Sequence, residues 1–251
     1  MPPSSNTLTA DAFRQLPDVL RALQHPRSPR SVLNYIYGCD TADPDVRRRL
    51  STDSTVGPLL HIWFASGTAL DDSCARFAPV VRELTAEPPS LVGGEWDSLE
   101  GKVAKVFLGD QLSRSCFRGT AEAFAYDAIG RRWVRELVSP DQVGDTLKLP
   151  AGMLYLLPWA LAHSEDLTDV EVARELIDLS IQAYPSFKLF KERNKPAVDQ
   201  HLQVLKRFGR YPHRNSVLGR ESTNAERAWL SDRDRLPIWA GGNLAADQIL
   251  R

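Results

Sequence analysis

TDVEVARELIDLSIQAY, residues 168–184, decides the fold class. Its apolar side chains recur every three or four positions, which lines one face of an α-helix and matches no strand. Thr168 and Glu171 have the spacing of a capping box, so the sequence predicts a helix that starts there. Val172, Leu176, Leu179 and Ala183 then form its expected buried face.

The same grammar extends in both directions. Ser28-Pro29 and Asp43-Pro44 each pair an N-cap with a proline suited to the first helical turn. The stretch ALDDSCARFAPVVRELTAE (69–87) reads as a helix that Pro79 should kink or divide. KPAVDQHLQVLKRFG (195–209) has Pro196 near its start and Gly209 just past its end. Thr223 and Glu226 repeat the capping box. Strand-like alternation is scarce, so the chain is expected to be all-α. The Pro/Gly segment 87–94 (EPPSLVGG) is short enough for helices to pack across it, which predicts a single domain. Residues 1–27 read as an N-terminal extension carrying a helix, 28–232 as the all-helical domain and 233–251 as a C-terminal tail.

Composition narrows the function. The 251 residues carry a net charge of -1, which disfavours a general nucleic-acid binder. Of the 31 basic residues 24 are arginine, the side chain for bidentate pairing with carboxylates and phosphates, although an arginine-rich coding bias gives the same excess. The three cysteines are scattered and form no metal spacing, which fits a reducing cytoplasm. No secretory signal is visible, and the uncharged run 149–164 is too short and too rich in proline to span a membrane. Nucleotide-binding glycine motifs and a nucleophile elbow are absent, so no cofactor is expected.

Three constellations carry possible chemistry. In SLEGKVAKVFLGDQLSRSCFRGTAEAFAYDA (98–128), Asp110 continues the apolar stripe of Leu99, Val103 and Val106, and Arg114 follows one turn later. Gln111, Arg114 and Arg118 share an adjoining stripe if the helix persists. Either Asp110 and Arg114 pair inside, or both face a polar cavity. HSED (163–166) sets His163, Glu165 and Asp166 together, a set suited to acid–base work and equally common at helix starts. RFGRYPHRNSVLGRES (207–222) gathers Arg210, His213, Arg214 and Asn215 in a glycine-punctuated turn. His201 lies on the apolar face of the preceding helix, more in keeping with a core histidine than with a catalyst. His163, His201 and His213 lack the spacing of a metal motif, and no metal site is expected. The arginines either clamp an anion or neutralise Asp110, Asp127, Glu165 and Asp166.

DQLSRSCFRGTAEAFAYDA, HSEDL and RFGRYPHRNSVLGRESTNAE, in that order, resemble the domain of unknown function 924 family, with weaker echoes from VLNYIYG (32–38) through Trp96. The resemblance implies a single-domain, tetratricopeptide-like helical superhelix and supplies no reaction. It carries over Asp110, Gln111, Arg114, Arg118, Gly119, Thr120 and Asp127. It also carries over His163 to Asp166, Arg207, Gly209, Arg210, Pro212 to Asn215, Gly219 and Arg220. Gly109, Ser113 and Ser115 stand where the family usually has Leu, Pro and Asn, which suggests a reshaped pocket.

The leading expectation is a cytoplasmic enzyme without a redox cofactor, of lyase, isomerase or hydrolase type, acting on an anionic small metabolite, with a biosynthetic tailoring step as one role. His163, Glu165, His213 and Asp110 are its candidate catalytic residues. Gln111, Arg114, Arg118, Arg210, Arg214 and Asn215 would bind substrate. The alternative is a tetratricopeptide-like peptide or protein binder in which the polar network is structural. The tail LPIWAGGNLAADQIL, with Ile238 and Trp239, is either a docking or homodimer segment or a flap packed over the core.

Overall fold

Nine helices of eight residues or more carry the architecture among the described residues, which in this computed structural model are 8–65 and 67–241. They are α1 (Pro17–Gln24), α2 (Pro29–Tyr37), α3 (Asp53–Ala65), α4 (Leu99–Phe107), α5 (Asp127–Leu137), α6 (Ala151–Ala162), α7 (Leu167–Ala183), α8 (Lys195–Phe208) and α9 (Asn224–Ser231). No strand occurs among these residues, so the chain is all-α. One continuous apolar core runs from Phe13 to Tyr211 and makes it a single domain.

The centre is α6. Every residue of AGMLYLLPWALA is buried, as expected of a helix apolar on all sides. Helices α4, α5, α7 and α8 all pack on it, and the consecutive pairs α1/α2, α4/α5, α5/α6, α6/α7 and α7/α8 lie against each other. The N-terminal residues belong to the same body. Phe13 is fully buried against Tyr35 and Trp63, and α1 packs on α2. Leu91, also buried, anchors the 87–94 segment.

Local signals mostly hold. Ser28 and Asp43 cap their helices through side-chain oxygens. Both hydrogen bonds of the Thr223/Glu226 capping box form. Gly209 closes α8 at φ 69°, a conformation that favours glycine. The 69–87 stretch divides at a 3₁₀ turn, Ala75–Phe77, into Asp71–Cys74 and Ala78–Arg82, with Pro79 in the first turn of the second helix.

Helix α7 starts and faces differently from the expectation for 168–184. Asp166, not Thr168, caps α7, because its carboxylate reaches the Thr168 N–H at 2.9 Å. The buried face is Val170, Ala173, Leu176, Ile177 and Ser180, while Leu179 and Ala183 face outward. Asp169 is buried on that face because Arg131 and Arg135 both pair with it.

Two details position the site. The helix α4 runs into a π-helical turn, Leu108–Leu112, where one extra residue is accommodated per turn. The Ser113 hydroxyl donates to the Gly109 carbonyl at 2.8 Å and lies 3.2 Å from that of Asp110, satisfying groups the wider turn loosens. Gly109 also lets this turn lie close against α5. A Cβ there would stand 3.2 Å from the Gly130 nitrogen and the Tyr126 carbonyl. That close approach brings Asp110 and Asp127 into one neighbourhood.

Candidate active site

Asp110 sits within the π-helical turn and is 1% exposed. One carboxylate oxygen accepts from His163 Nδ1 at 2.6 Å and lies 3.5 Å from Arg114 Nη2. The other accepts from the Gln111 amide at 2.5 Å. Burial alone pushes this carboxyl up, but His163, Arg114 and Gln111 together outweigh it and hold it at about 2. A carboxylate only accepts, so His163 Nδ1 carries the hydrogen and its Nε2 presents a lone pair when the ring is neutral. His163 is placed by α6, which ends one residue before it, and its N–H bonds back to the Trp159 carbonyl.

The second acid, Asp127, opens α5 between two guanidinium groups. Arg114 Nη2 is 2.8 Å from one of its oxygens and Arg214 Nη1 is 3.3 Å from the other. Burial pushes its carboxyl up against the pull of both arginines. Arg114 also donates to the Ala123 carbonyl, and Arg214 to the His163 carbonyl at 2.9 Å. Both guanidinium groups rest on the Phe124 ring, and Arg214 also rests on Tyr211. Burial and the neighbouring Arg114 push Arg214 down to about 10. It remains a cation at neutral pH.

The aromatic side of the cluster is continuous. The Trp159 ring lies 5.8 Å from both His163 and His201, and Phe64 lies 5.8 Å beyond Trp159. His201 is 2% exposed, and its Nδ1 donates to the Ala197 carbonyl at 2.8 Å. Burial, aided by His163, pushes it well below the usual imidazole range, so it stays neutral. His213 is pushed down to about 3 by burial and then by Arg214, and its buried Nδ1 has no partner. Trp159 Nε1, Arg214 Nε and Arg220 Nε are likewise buried donors without a partner.

The remaining expected site residues are engaged elsewhere. Glu165 accepts two hydrogen bonds from Arg220 and one from the Tyr211 N–H, which outweigh burial and lower its carboxyl. Arg210 forms a bidentate pair with Glu226 at 2.7 and 2.9 Å, and Asn215 donates to Glu226 and Ser222. These bonds fasten the 209–222 turn to α9. Arg118 corrects the stripe expectation: the helix stops at Cys116, and the side chain turns outward to a bidentate pair with Asp71. Asp166 caps α7 at the surface. Among the described residues no group of three or more His, Cys, Asp or Glu is placed to hold a metal ion. Because its pair with Asp71 is half exposed, Arg118→Ala is expected to cost less than about 1 kcal/mol in a thermal melt.

Asp110, Gln111, Arg114, Asp127, His163, His213 and Arg214 therefore converge. The sequence reading missed Phe124, Trp159 and Tyr211 as walls, and it left Trp239 open between a docking segment and a flap over the core. Trp159 stands four residues before His163 on one helix and was legible by that spacing. Trp239 stacks on His201, as the flap alternative had it, though nothing local in the sequence named that partner.

A family model described as "Bacterial protein of unknown function (DUF924)" matches residues 55–234. The solved structure of a protein of unknown function, ATU0120 from Agrobacterium tumefaciens, matches with a TM-score of 0.52 at 29% identity. That match covers 68% of this chain and 88% of the other. No curated protein matches the sequence significantly. No helix among the described residues is long and apolar enough to cross a membrane.

Proposed function

The chain belongs to the DUF924 family of bacterial proteins of unknown function, and from that premise we propose that it is a cytoplasmic enzyme using His163 as a general base on an anionic small molecule. The observation that carries this reading is the 2.6 Å hydrogen bond between buried Asp110 and His163 Nδ1. It fixes the tautomer, leaves Nε2 as the proton acceptor, and stabilises the imidazolium that forms. Three guanidinium groups (Arg114, Arg214, Arg220) balance three carboxylates (Asp110, Asp127, Glu165) in the surrounding network. When His163 takes a proton, the cluster gains one net positive charge, which favours a bound anion. The unpartnered donors Arg214 Nε and Trp159 Nε1 supply hydrogen bonds to acceptor oxygens.

The chemistry is removal of a proton from an activated C–H or O–H group. The proton moves to His163 Nε2, and the substrate's developing negative charge faces Arg114 and Arg214. Its return to another atom is an isomerisation, loss of a leaving group is an elimination, and use of a deprotonated water is a hydrolysis. The burial of Asp110 and Arg214 argues against a peptide-binding groove, whose clamps would face open solvent.

His163→Gln tests the reading, because glutamine keeps polarity without a base. Purified protein incubated with a cell extract is expected to deplete one or more organic acids, measured by untargeted mass spectrometry. The variant should turn them over about 10²–10⁴-fold more slowly while melting as the wild type does. Equal depletion by both proteins would remove His163 from the chemistry.

A further inference from the structure

The described chain ends in a 3₁₀ turn, Ile238–Ala240, that lays Trp239 over the site. The indole is stacked on the His201 imidazole, with centroids 3.9 Å apart and planes 18° from parallel. Tyr211 and His213 stand roughly edge-on to it, at 5.7 and 5.3 Å. The result is a slot with one flat wall and two aromatic sides, filled by the protein's own side chain. Residue 239 lies beyond the end of the family match at 234.

The fit is incomplete in a telling way. Offset stacking on a neutral imidazole satisfies the flat face of the slot. Polar groups packed on the slot's own rings, Trp159 on His201 and Arg214 on Tyr211, are not satisfied. Trp159 Nε1 and Arg214 Nε are donors on side chains more than nine-tenths buried, and neither has an acceptor. The indole has none to offer, since its one polar atom is itself a donor, directed at Gln200 Oε1 3.4 Å away. Its attachment is also light. Leu236 and Ala240 are buried and Arg233 holds the Gly241 carbonyl, but the adjacent Ile238 is 42% exposed.

We infer that Trp239 holds the place of the planar part of the ligand, so that the substrate is a flat aromatic or conjugated acid. Its ring stacks on His201 once the indole has moved aside. Its acid oxygens accept from Arg214 and Trp159, and its reacting C–H or O–H faces His163. The inference rests on the acid–base reading of the same cluster and adds the shape and class of the substrate.

Full-length protein labelled with 5-fluorotryptophan tests it. The six tryptophans give six ¹⁹F resonances, and Trp239→Phe assigns the one that matters. The probes are benzoate, acetate and benzamide, which separate planarity from charge. Benzoate is expected to shift the Trp239 resonance saturably and to bind about tenfold tighter than acetate. Benzamide, flat but uncharged, should leave it unmoved, and Arg214→Lys should abolish the benzoate shift while the other resonances report an intact fold. Benzamide makes the charge requirement testable in the wild type even if the arginine variant unfolds. Binding of benzoate that leaves Trp239 unmoved, or that is no tighter than acetate, overturns the planar-acid inference and spares the anionic site. A Trp239 shift of equal size with benzamide overturns it as well. Failure of both acids to bind overturns this inference and the acid–base reading together.

Discussion

Asp110→Ala is expected to destabilise the protein by about 3–5 kcal/mol, because it removes one member of a buried charged network. His163 Nδ1–H and the Gln111 amide lose their acceptor, and Arg114 loses one of its two carboxylates. For a chain of this size, about 2–4 °C of melting temperature accompanies each kcal/mol, so the drop should be roughly 6–20 °C. Asp110→Asn behaves differently. It keeps the shape and one carbonyl oxygen, so the stability loss should be smaller. Its new N–H₂ group, if turned to His163, demands the opposite tautomer and puts the hydrogen on Nε2. Turnover should then fall as far as in His163→Gln. Thermal melts and the extract assay, run on both variants, separate the two effects. A melting temperature for Asp110→Ala within 2 °C of the wild type, on the order of a single surface contact, would show that the cluster is not a unit.

Acid should unfold the protein in two stages, and the sign of each follows from the direction of the shifts. His201 and His213 have folded pKa values below the usual 6.5, the latter at about 3. As pH falls below 6.5 the unfolded chain binds protons that the folded chain refuses, so stability falls. Each such histidine contributes up to about 1.4 kcal/mol per pH unit across its window. Asp110, held at about 2 against an ordinary 3.8, acts later. Its contribution is fully present above pH 4 and is lost as pH falls through 2. The urea midpoint is therefore expected to drop between pH 7 and pH 5, by about 2–4 kcal/mol in stability. His213→Gln should roughly halve that slope and leave the stage below pH 4 in place. A midpoint that stays level from pH 7 to pH 5 would mean that the two imidazoles are hydrated.

What the sequence made legible follows the range of the interactions. Ser28, Asp43 and the Thr223/Glu226 box are contacts within one turn, and reading them needs only neighbours. Thr168 failed because Asp166, two residues earlier, is the cap and accepts from both the N–H and the hydroxyl of Thr168. The face of α7 was misassigned because burial there follows its packing partners, α6 and α8, and because Asp169 goes inside with two arginines. At the site, Asp110, Arg114 and His163 were readable from periodicity and clustering. Arg118 was not, since the stripe that included it assumed a helix past Cys116. Arg210 and Asn215 look like ligands in sequence, but their acid, Glu226, is supplied by the next helix. Trp239 depends on a contact with a residue thirty-eight positions earlier, for which no periodic signal exists.

The π-helical turn at 108–112 has a consequence for how such a site arises and is lost. A π turn is an α-helix with one residue too many, and one residue corresponds to about 100° of rotation. Before it, the helix presents Val103 and Val106 to the core. Within the turn Asp110 still follows the phase of Val103 and Val106, and the core meets it and Gln111. The one extra codon resets the phase of what comes after, Arg114 among it. Lineages that lose that codon would keep the fold and lose the phase.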